Sequence, residues 1–342
     1  MKILIVRLSA LGDIVHALPV LTAIKKAMPE ADVDWMVEEN YSPILSITHG
    51  LRRLIIGRAR RSFATDDAVS FGGAVGYVQA VAHLRAQQYD CALDLQGLLK
   101  SAGWARSSGA SRVIGFDKAN LREAQAAAFY TETVTPPRGV HVIHKNLSML
   151  SALGIEPGPT RMPLAPQASA ETRAAIETAG GSLRYVVLNP GAGWPNKRWP
   201  PERFGKLAAA LRERTGLLSV VTWGSAERAL AEEVVRASAG AATAAPATTV
   251  ADLCVLMRDA ALVVAGDTGP LHLAAAMGAP LVGLYGPTWP ERNGPWDPND
   301  VVLSRAGVCV CHHKRQCLRG APCIDEVTVE EVVAACEERL GR

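Results

Sequence analysis

Long apolar runs are missing from this chain. No stretch approaches the roughly 18 apolar residues that a membrane-spanning helix needs, although hydrophobic residues make up 49% of the composition. A charged leader is missing too: the sequence opens directly on MKILIV, which predicts a cytoplasmic protein without a signal peptide. Charge of one sign is scarce. The balance of 36 Lys+Arg against 33 Asp+Glu is too even to argue for nucleic acid as a partner. Cysteine is sparse and odd in number, at seven, and without a secretory leader this argues against a disulfide framework. Four of the seven fall in CVCHHKRQCLRGAPC (309–323), beside His312 and His313. That C-x-C-x5-C-x5-C spacing matches none of the usual zinc patterns, so the segment reads as reduced thiols in a surface loop and no metal site is expected. A Ser-His-Asp order, an HExxH helix, a kinase signature and a Walker loop are all absent.

What the chain does have is alternation. Its 342 residues suffice for two domains of roughly 150 residues each. In the first half, strand-like segments at 3–6, 33–37, 53–57, 91–97 and 112–116 alternate with helical patterns near 14, at 42–48 and 72–87, after 97, and at 141–155. A polar loop is expected over 58–70. Residues 156–182 are rich in proline and glycine and read as a linker with one short helix. The pattern then restarts, with strands at 184–191, 217–224, 261–267 and 280–286 and helices at 201–216, 226–238, 249–260, 269–278 and 327–340; 301–305 reads as an edge strand. Such alternation predicts an α/β protein with two parallel sheets covered by helices. The expected boundaries are 1–160, a linker at 161–182, a second domain at 183–325 and a final helix at 326–342. A cleft between two such halves is the default place for a ligand.

Four stretches carry chemistry. In MKILIVRLSALGDIVHALP a buried strand meets a small-residue turn over Ser9–Gly12 and then a helix, which is where open α/β folds place ligands. Asp13 there reads either as a cap favoured by the helix dipole or as a general base at the carboxyl edge of the sheet. In AGDTGPLHLAAAMGAP an apolar strand runs into Gly266, Asp267, Thr268 and Gly269, and Pro270 opens a helix whose first turn holds His272. Free amides at such a helix start suit a phosphate. In LNPGAGWPNKRWPPERF a strand ending at Asn189 leads to a glycine-rich loop with Ala192 and Gly193, then to Lys197 and Arg198, a second phosphate-binding opportunity. VTWGSAERAL sets Gly224, Ser225 and Glu227 where a strand meets a helix, and Glu227 reads as a ribose ligand or a first-turn carboxylate. Positive charge concentrates at Arg52, Arg53, Arg58, Arg60 and Arg61, either a solvated face or a seat for an anionic partner. Together these features outline a nucleotide-diphosphate pocket in the second half and a basic first half carrying one carboxylate.

MKILIVRLSALGDIVHALP, DWMVEE, DLQGLLKSA, KRWPPERF and GDTGPLHLAAAMGAP resemble the lipopolysaccharide heptosyltransferases of glycosyltransferase family 9, over nearly the whole chain. DWMVEENY, DLQGLLKSA and GFDKANLREAQAAAFY are more similar to type I than to type II members. The loop before Lys197 departs from the type I pattern, with Ala192 and Gly193 where two threonines can stand, and is closer to type II. The resemblance implies a GT-B fold of two Rossmann-like domains, with the acceptor on the first, the nucleotide sugar on the second and the last helix returning to the first. It also implies inverting transfer of L-glycero-D-manno-heptose from ADP-heptose to the inner Kdo of Kdo2-lipid A, at the cytoplasmic face of the inner membrane. Carried over by position, Asp13 is the base. Ala192, Gly193, Lys197, Glu227, Asp267, Thr268, Gly269, Pro270 and His272 lie on the donor side, and Ser9, Gly12, Arg58, Arg60, Arg61, Arg122 and His141 on the acceptor side.

The implied chemistry suits these residues. A single displacement needs a base for the acceptor hydroxyl and stabilisation of the departing diphosphate. No Asp-x-Asp sits at a strand end, and lysine with a helix dipole can neutralise a diphosphate, so no divalent metal or other cofactor is expected. Three competing readings are a type II enzyme with a heptose acceptor, a nucleotide-sugar epimerase that consumes donor without acceptor, and a non-catalytic nucleotide-sugar sensor.

Overall fold

The computed structural model describes residues 1–59, 63–64, 67–72, 76–180, 185–312, 314–317 and 319–341. The chain divides into two compact units, Met1–Ala165 and Pro166–Arg342.

The first unit opens with β1 (Lys2–Val6), the short helix α1 (Leu11–Val15) and α2 (Leu18–Ala27). β2 (Asp32–Glu38), α3 (Ser42–Ser46), β3 (Arg53–Ala59), β4 (Phe63–Ala64), β5 (Ala68–Gly72) and α4 (Gly76–Ala86) follow. β6 (Cys91–Asp94), α5 (Leu99–Ser107), β7 (Arg112–Phe116), β8 (Glu132–Val134) and α6 (Val142–Ser148) complete it. The sheet order is β4-β5-β3-β2-β1-β6-β7-β8, parallel except for the antiparallel β4–β5 pair. The central strands are buried on both faces, which is why they read as continuous Val/Ile/Leu runs. Leu4, Val6, Met36, Ile55, Trp104 and Val113 form part of the core. The polar loop expected over 58–70 contains β4 and the start of β5.

The second unit begins with α7 (Ala170–Thr178), the short helix expected within the linker. Ser169 caps it through Thr172 N–H, and the Ser169 amide donates to Asp252 Oδ1 at 2.6 Å. Its strands are β9 (Tyr185–Asn189), β10 (Leu218–Val221), β11 (Ala242–Ala244), β12 (Leu262–Gly266), β13 (Leu281–Tyr285) and β14 (Val301–Ser304). Its remaining helices are α8 (Pro201–Thr215), α9 (Arg228–Ala237), α10 (Val250–Arg258), α11 (Gly269–Ala276), α12 (Pro290–Asn293) and α13 (Val329–Arg339). The sheet is parallel throughout, in the order β11-β10-β9-β12-β13-β14, with β14 on an edge as expected.

α13 packs on the core of the second unit. Val332, Val333 and Cys336 are buried in its core with Phe204, Leu207 and Leu284. Arg339 Nε donates to Asp300 Oδ1 at 2.9 Å, and Trp199 Nε1 to the Val327 carbonyl at 2.9 Å. These contacts tie the helix to the core of the second unit.

Among its parallel strands each sheet reverses its order at one point, between β1 and β6 and between β9 and β12. At both reversals the strand ends lie side by side: Val6 pairs with Asp94, and Asn189 with Ala265. Crevices beyond the carboxyl ends of strands at such reversals are where open α/β sheets bind ligands.

Candidate functional site

In the second unit, the loops after β9, β10 and β12 enclose a pocket of about 260 Å³, lined by Gly191–Trp194, Lys197, Glu227 and Asp267–Pro270. Asn189, buried at the end of β9, shapes the first loop. Its Nδ2 donates to the Gly191 carbonyl at 3.0 Å, and its Oδ1 accepts from Thr222 Oγ1 at 3.1 Å. Arg198 Nε donates to the Ala192 carbonyl at 2.8 Å, and its guanidinium lies 3.7 Å from Glu227 Oε1. Glu227 also accepts from the Gly224 amide at 3.3 Å. A Cβ on Gly191 would stand 2.1 Å from Glu227 Oε2, so a side chain there would push the Glu227 carboxylate aside.

Lys197 comes from a single turn of 3-10 helix at Pro195–Lys197. Its ammonium lies 4.8 Å over the Trp194 ring and 2.5 Å from Asp267 Oδ2. A Cβ on Gly266 would meet the Lys197 carbonyl at 2.8 Å, so the end of β12 accepts this turn only without a side chain.

Asp267 is 5% exposed, and several groups share its carboxylate. Thr288 Oγ1 donates to Oδ2 at 2.7 Å, Asn293 Nδ2 to Oδ1 at 2.9 Å, and His272 Nε2 lies 3.3 Å from Oδ1. Burial alone would raise its pKa. The His272 hydrogen bond and the Lys197 charge outweigh burial and hold the carboxyl well below its ordinary range. Asp267 therefore lines the pocket as a charge that positions Lys197. His272 is buried against it. The start of α11 lies beside this pair, with Pro270 in its first turn. Thr268 Oγ1 is buried there and has no hydrogen-bond partner among the described residues. A lysine, amides at a helix start and an unsatisfied hydroxyl together make a site for an anionic group with oxygen acceptors.

In the first unit, Asp13 stands in the first turn of α1, its side chain 40% exposed. Its Oδ2 lies 3.0 Å from Arg7 Nη2 and accepts from the Ala10 amide at 3.5 Å. Both readings of Asp13 survive, because it caps the helix start and still presents a carboxylate. Arg7 is buried, and its other Nη is held by the Leu95 carbonyl after β6. Gln96 Oε1 accepts from the Leu8 amide at 2.7 Å, and its Nε2 donates to Ser9 Oγ at 3.4 Å. Gly12 is buried inside α1. His141 caps α6, its Nδ1 accepting from the Ile143 amide at 3.2 Å, and its ring meets His16 edge-on at 5.4 Å. Arg122 is exposed between two 3-10 turns. Arg60 and Arg61 lie outside the described residues, and of Arg58 only the backbone, in β3, is described.

The sequence profile of glycosyltransferase family 9 (heptosyltransferase) matches residues 78–321. Lipopolysaccharide heptosyltransferase 1 of Pseudomonas aeruginosa is 32% identical over 93% of this chain and 87% of its own length. Lipopolysaccharide heptosyltransferase 3 of Escherichia coli is 27% identical over 96% of this chain and 95% of its own. The solved E. coli heptosyltransferase WaaC with ADP has the same fold, with a TM-score of 0.72 at 24% identity, covering 100% of this chain and 98% of that one. The chain belongs to glycosyltransferase family 9.

It is a lipopolysaccharide heptosyltransferase of core biosynthesis with the GT-B fold. Membership decides for a transferase over an epimerase or a sensor. Several residues that shape the heptosyltransferase's site carry no sequence signal. Arg7 follows β1 like any surface arginine, and Thr288 and Asn293 reach Asp267 from the loop after β13 and from α12. Asn189 was legible as the end of a strand, but its role in folding back on Gly191 was not. The cysteines of 309–323, expected in a surface loop, are mostly buried: Cys309 is 6%, Cys311 1% and Cys323 1% exposed. His313 lies outside the described residues.

Proposed function

We propose that this heptosyltransferase transfers L-glycero-D-manno-heptose from ADP-heptose to the inner Kdo of Kdo2-lipid A, with inversion and with Asp13 as general base. The observation that carries the donor half is the Lys197–Asp267 pair beside the start of α11. There the lysine and the Thr268 hydroxyl receive the diphosphate, and Glu227 receives a ribose hydroxyl. Charge that develops on the departing ADP is met by a preorganised cation and helix dipole, so no divalent metal is needed for this step. Asp13 is held through Oδ2, and Oδ1 takes the proton of the attacking hydroxyl. An acceptor bearing carboxylates and phosphates gives the Arg58, Arg60, Arg61 and Arg122 positions their purpose. It also places the enzyme peripherally at the cytoplasmic face of the inner membrane. No helix among the described residues is long and apolar enough to cross a membrane.

The test is a mass-spectrometric assay with ADP-heptose and Kdo2-lipid A. In Asp13→Ala, turnover falls on the order of 10²–10⁴-fold, while calorimetry still detects ADP-heptose binding. Unchanged turnover removes Asp13 as the base. Omitting Mg²⁺ leaves the wild-type rate unchanged.

The Ala192–Gly193 loop favours one second reading, a type II enzyme that adds heptose to heptosyl-Kdo2-lipid A. Parallel assays of the two acceptors decide between them.

A further inference from the structure

The segment 309–322 joins the 3-10 turn at Ala306–Val308 to the one at Cys323–Glu326, and its described residues form no regular element. Loops of this length usually need something that holds them together. Here the interior is sulfur: Cys309, Cys311 and Cys323 form a buried cluster with Cys317 packed against it. Val308, just before the segment, and Val310 point the other way, 51% and 64% exposed. A loop that folded to bury apolar surface would turn its valines in.

One pair of these sulfurs has the spacing of metal ligands. Cys309 Sγ and Cys311 Sγ are 3.6 Å apart, too far for a disulfide. They match the edge of a tetrahedron with metal–sulfur bonds of about 2.3 Å, which is about 3.8 Å. The Cys311 amide donates to Cys309 Sγ at 3.4 Å, and Asn196 Nδ2 points at Cys311 Sγ at 4.0 Å. Such N–H···S contacts from the surroundings orient thiolates on a metal.

We propose that Cys309, Cys311, Cys317 and Cys323 form a four-sulfur site for one zinc-class divalent cation, which staples this loop beside the Lys197 turn. No three candidate ligands are already gathered round one point among the described residues. Binding therefore draws Cys317 inward, away from its 3.8 Å contact with the Ala321 carbonyl. Four sulfurs select zinc or iron over magnesium or calcium. The site is distinct from the donor pocket but is tied to both partners of its ion pair. Asn196, which precedes Lys197, donates to the Lys314 carbonyl at 2.9 Å. The His312 ring stacks on Trp289 at 5.2 Å and 20°, and Trp289 starts the helix whose Asn293 donates to Asp267. The metal acts as a positioning element for Lys197 and takes no part in sugar transfer.

The experiment measures zinc and iron in the full chain purified under reducing conditions, then strips the metal with a mercurial and titrates Co²⁺. The expected result is one equivalent of metal per chain and a cobalt spectrum with sulfur-to-metal charge transfer and strong tetrahedral bands. Both are lost in Cys311→Ser and Cys323→Ser and kept in Cys254→Ala. Should the serine variants fail to fold, the wild-type cobalt spectrum decides alone. A metal-free wild type that gives only a weak octahedral cobalt spectrum overturns the site, as does a disulfide found among these four cysteines under reducing purification. Hydrogen exchange at 194–198 that is unchanged by metal removal overturns the link to Lys197.

Discussion

Asp267 receives a lysine, a threonine and an asparagine and contacts a histidine, and none of these contacts reaches solvent freely. Its depressed pKa makes it a source of stability with a defined pH window. The sign follows from the direction: the folded state holds the carboxylate more tightly than the unfolded chain does. The contribution is therefore complete above the unfolded value of about 3.9 and is lost as pH falls towards the lower folded value. Asp267→Asn removes the charge and leaves Lys197, 15% exposed, without its counter-ion. Breaking such a pair costs about 3–5 kcal/mol. Urea unfolding shows this gap undiminished from pH 7 to about 4 and narrowing below that. The donor KM of this variant rises, because Lys197 loses its orientation.

Gly191 offers a milder probe at the same scale. A methyl group there would collide with the Glu227 carboxylate and not with backbone, so the side chain must move. Gly191→Ala raises the KM for ADP-heptose with little change in melting temperature. Equal KM values in wild type and variant dissociate Glu227 from the donor. The chemistry-bearing residues were legible because they sit at strand ends beside glycine. Their partners were not, since Thr288 and Asn293 lie in segments whose contact with Asp267 arises only from the fold.

At the scale of elements, the two-face-buried strands were read nearly to the residue, as at Arg112–Phe116, because parallel packing demands unbroken apolar runs. The strands that escaped are at or near the margins. Ala242–Ala244 is an edge strand of small residues with little β preference, and Glu132–Val134 is an edge strand that stays partly exposed. Ala68–Gly72 was hidden by the polar residues before it, although Val69 and Phe71 show the alternation of a strand.

The end of β6 supports its own prediction. Asp94 is fully buried and accepts from the Gln96 amide at 2.9 Å, the Gly97 amide at 3.2 Å, Ser101 Oγ at 2.9 Å and Tyr130 OH at 2.8 Å. Two backbone amides converge on Oδ1 and two hydroxyls on Oδ2, so removing the carboxylate leaves four donors without an acceptor. Asp94→Ala removes the acceptor and costs about 1–3 kcal/mol for each donor left unsatisfied. Chemical denaturation reads this loss. Because Leu95 and Gln96 hold Arg7, Leu8 and Ser9, the variant also lowers turnover while the affinity for ADP is retained.

At the scale of the whole molecule, each unit has its own sheet, its own core and its own strand-order reversal. The groups proposed for the nucleotide diphosphate lie in the second: Gly191–Trp194, Lys197, Glu227 and Asp267–Pro270. A ligand that binds only the folded state stabilises it by RT ln(1 + [L]/Kd), about 2.7 kcal/mol at a hundredfold excess over Kd. With ADP alone, which lacks the sugar and brings no acceptor, that gain belongs to the unit holding the pocket. Hydrogen exchange on the full chain therefore slows at 189–197, 224–228 and 266–271 and, through global opening, in β9 and β12. The amides of β1, β2 and β6 exchange at unchanged rates. Adding an acceptor analogue in place of ADP reverses the pattern, protecting the turn from Ser9 to Asp13 and the segment around Arg122. Protection by ADP concentrated in the first unit assigns the donor to the wrong half, and it removes the support that the Lys197–Asp267 pair lends to the proposed transfer.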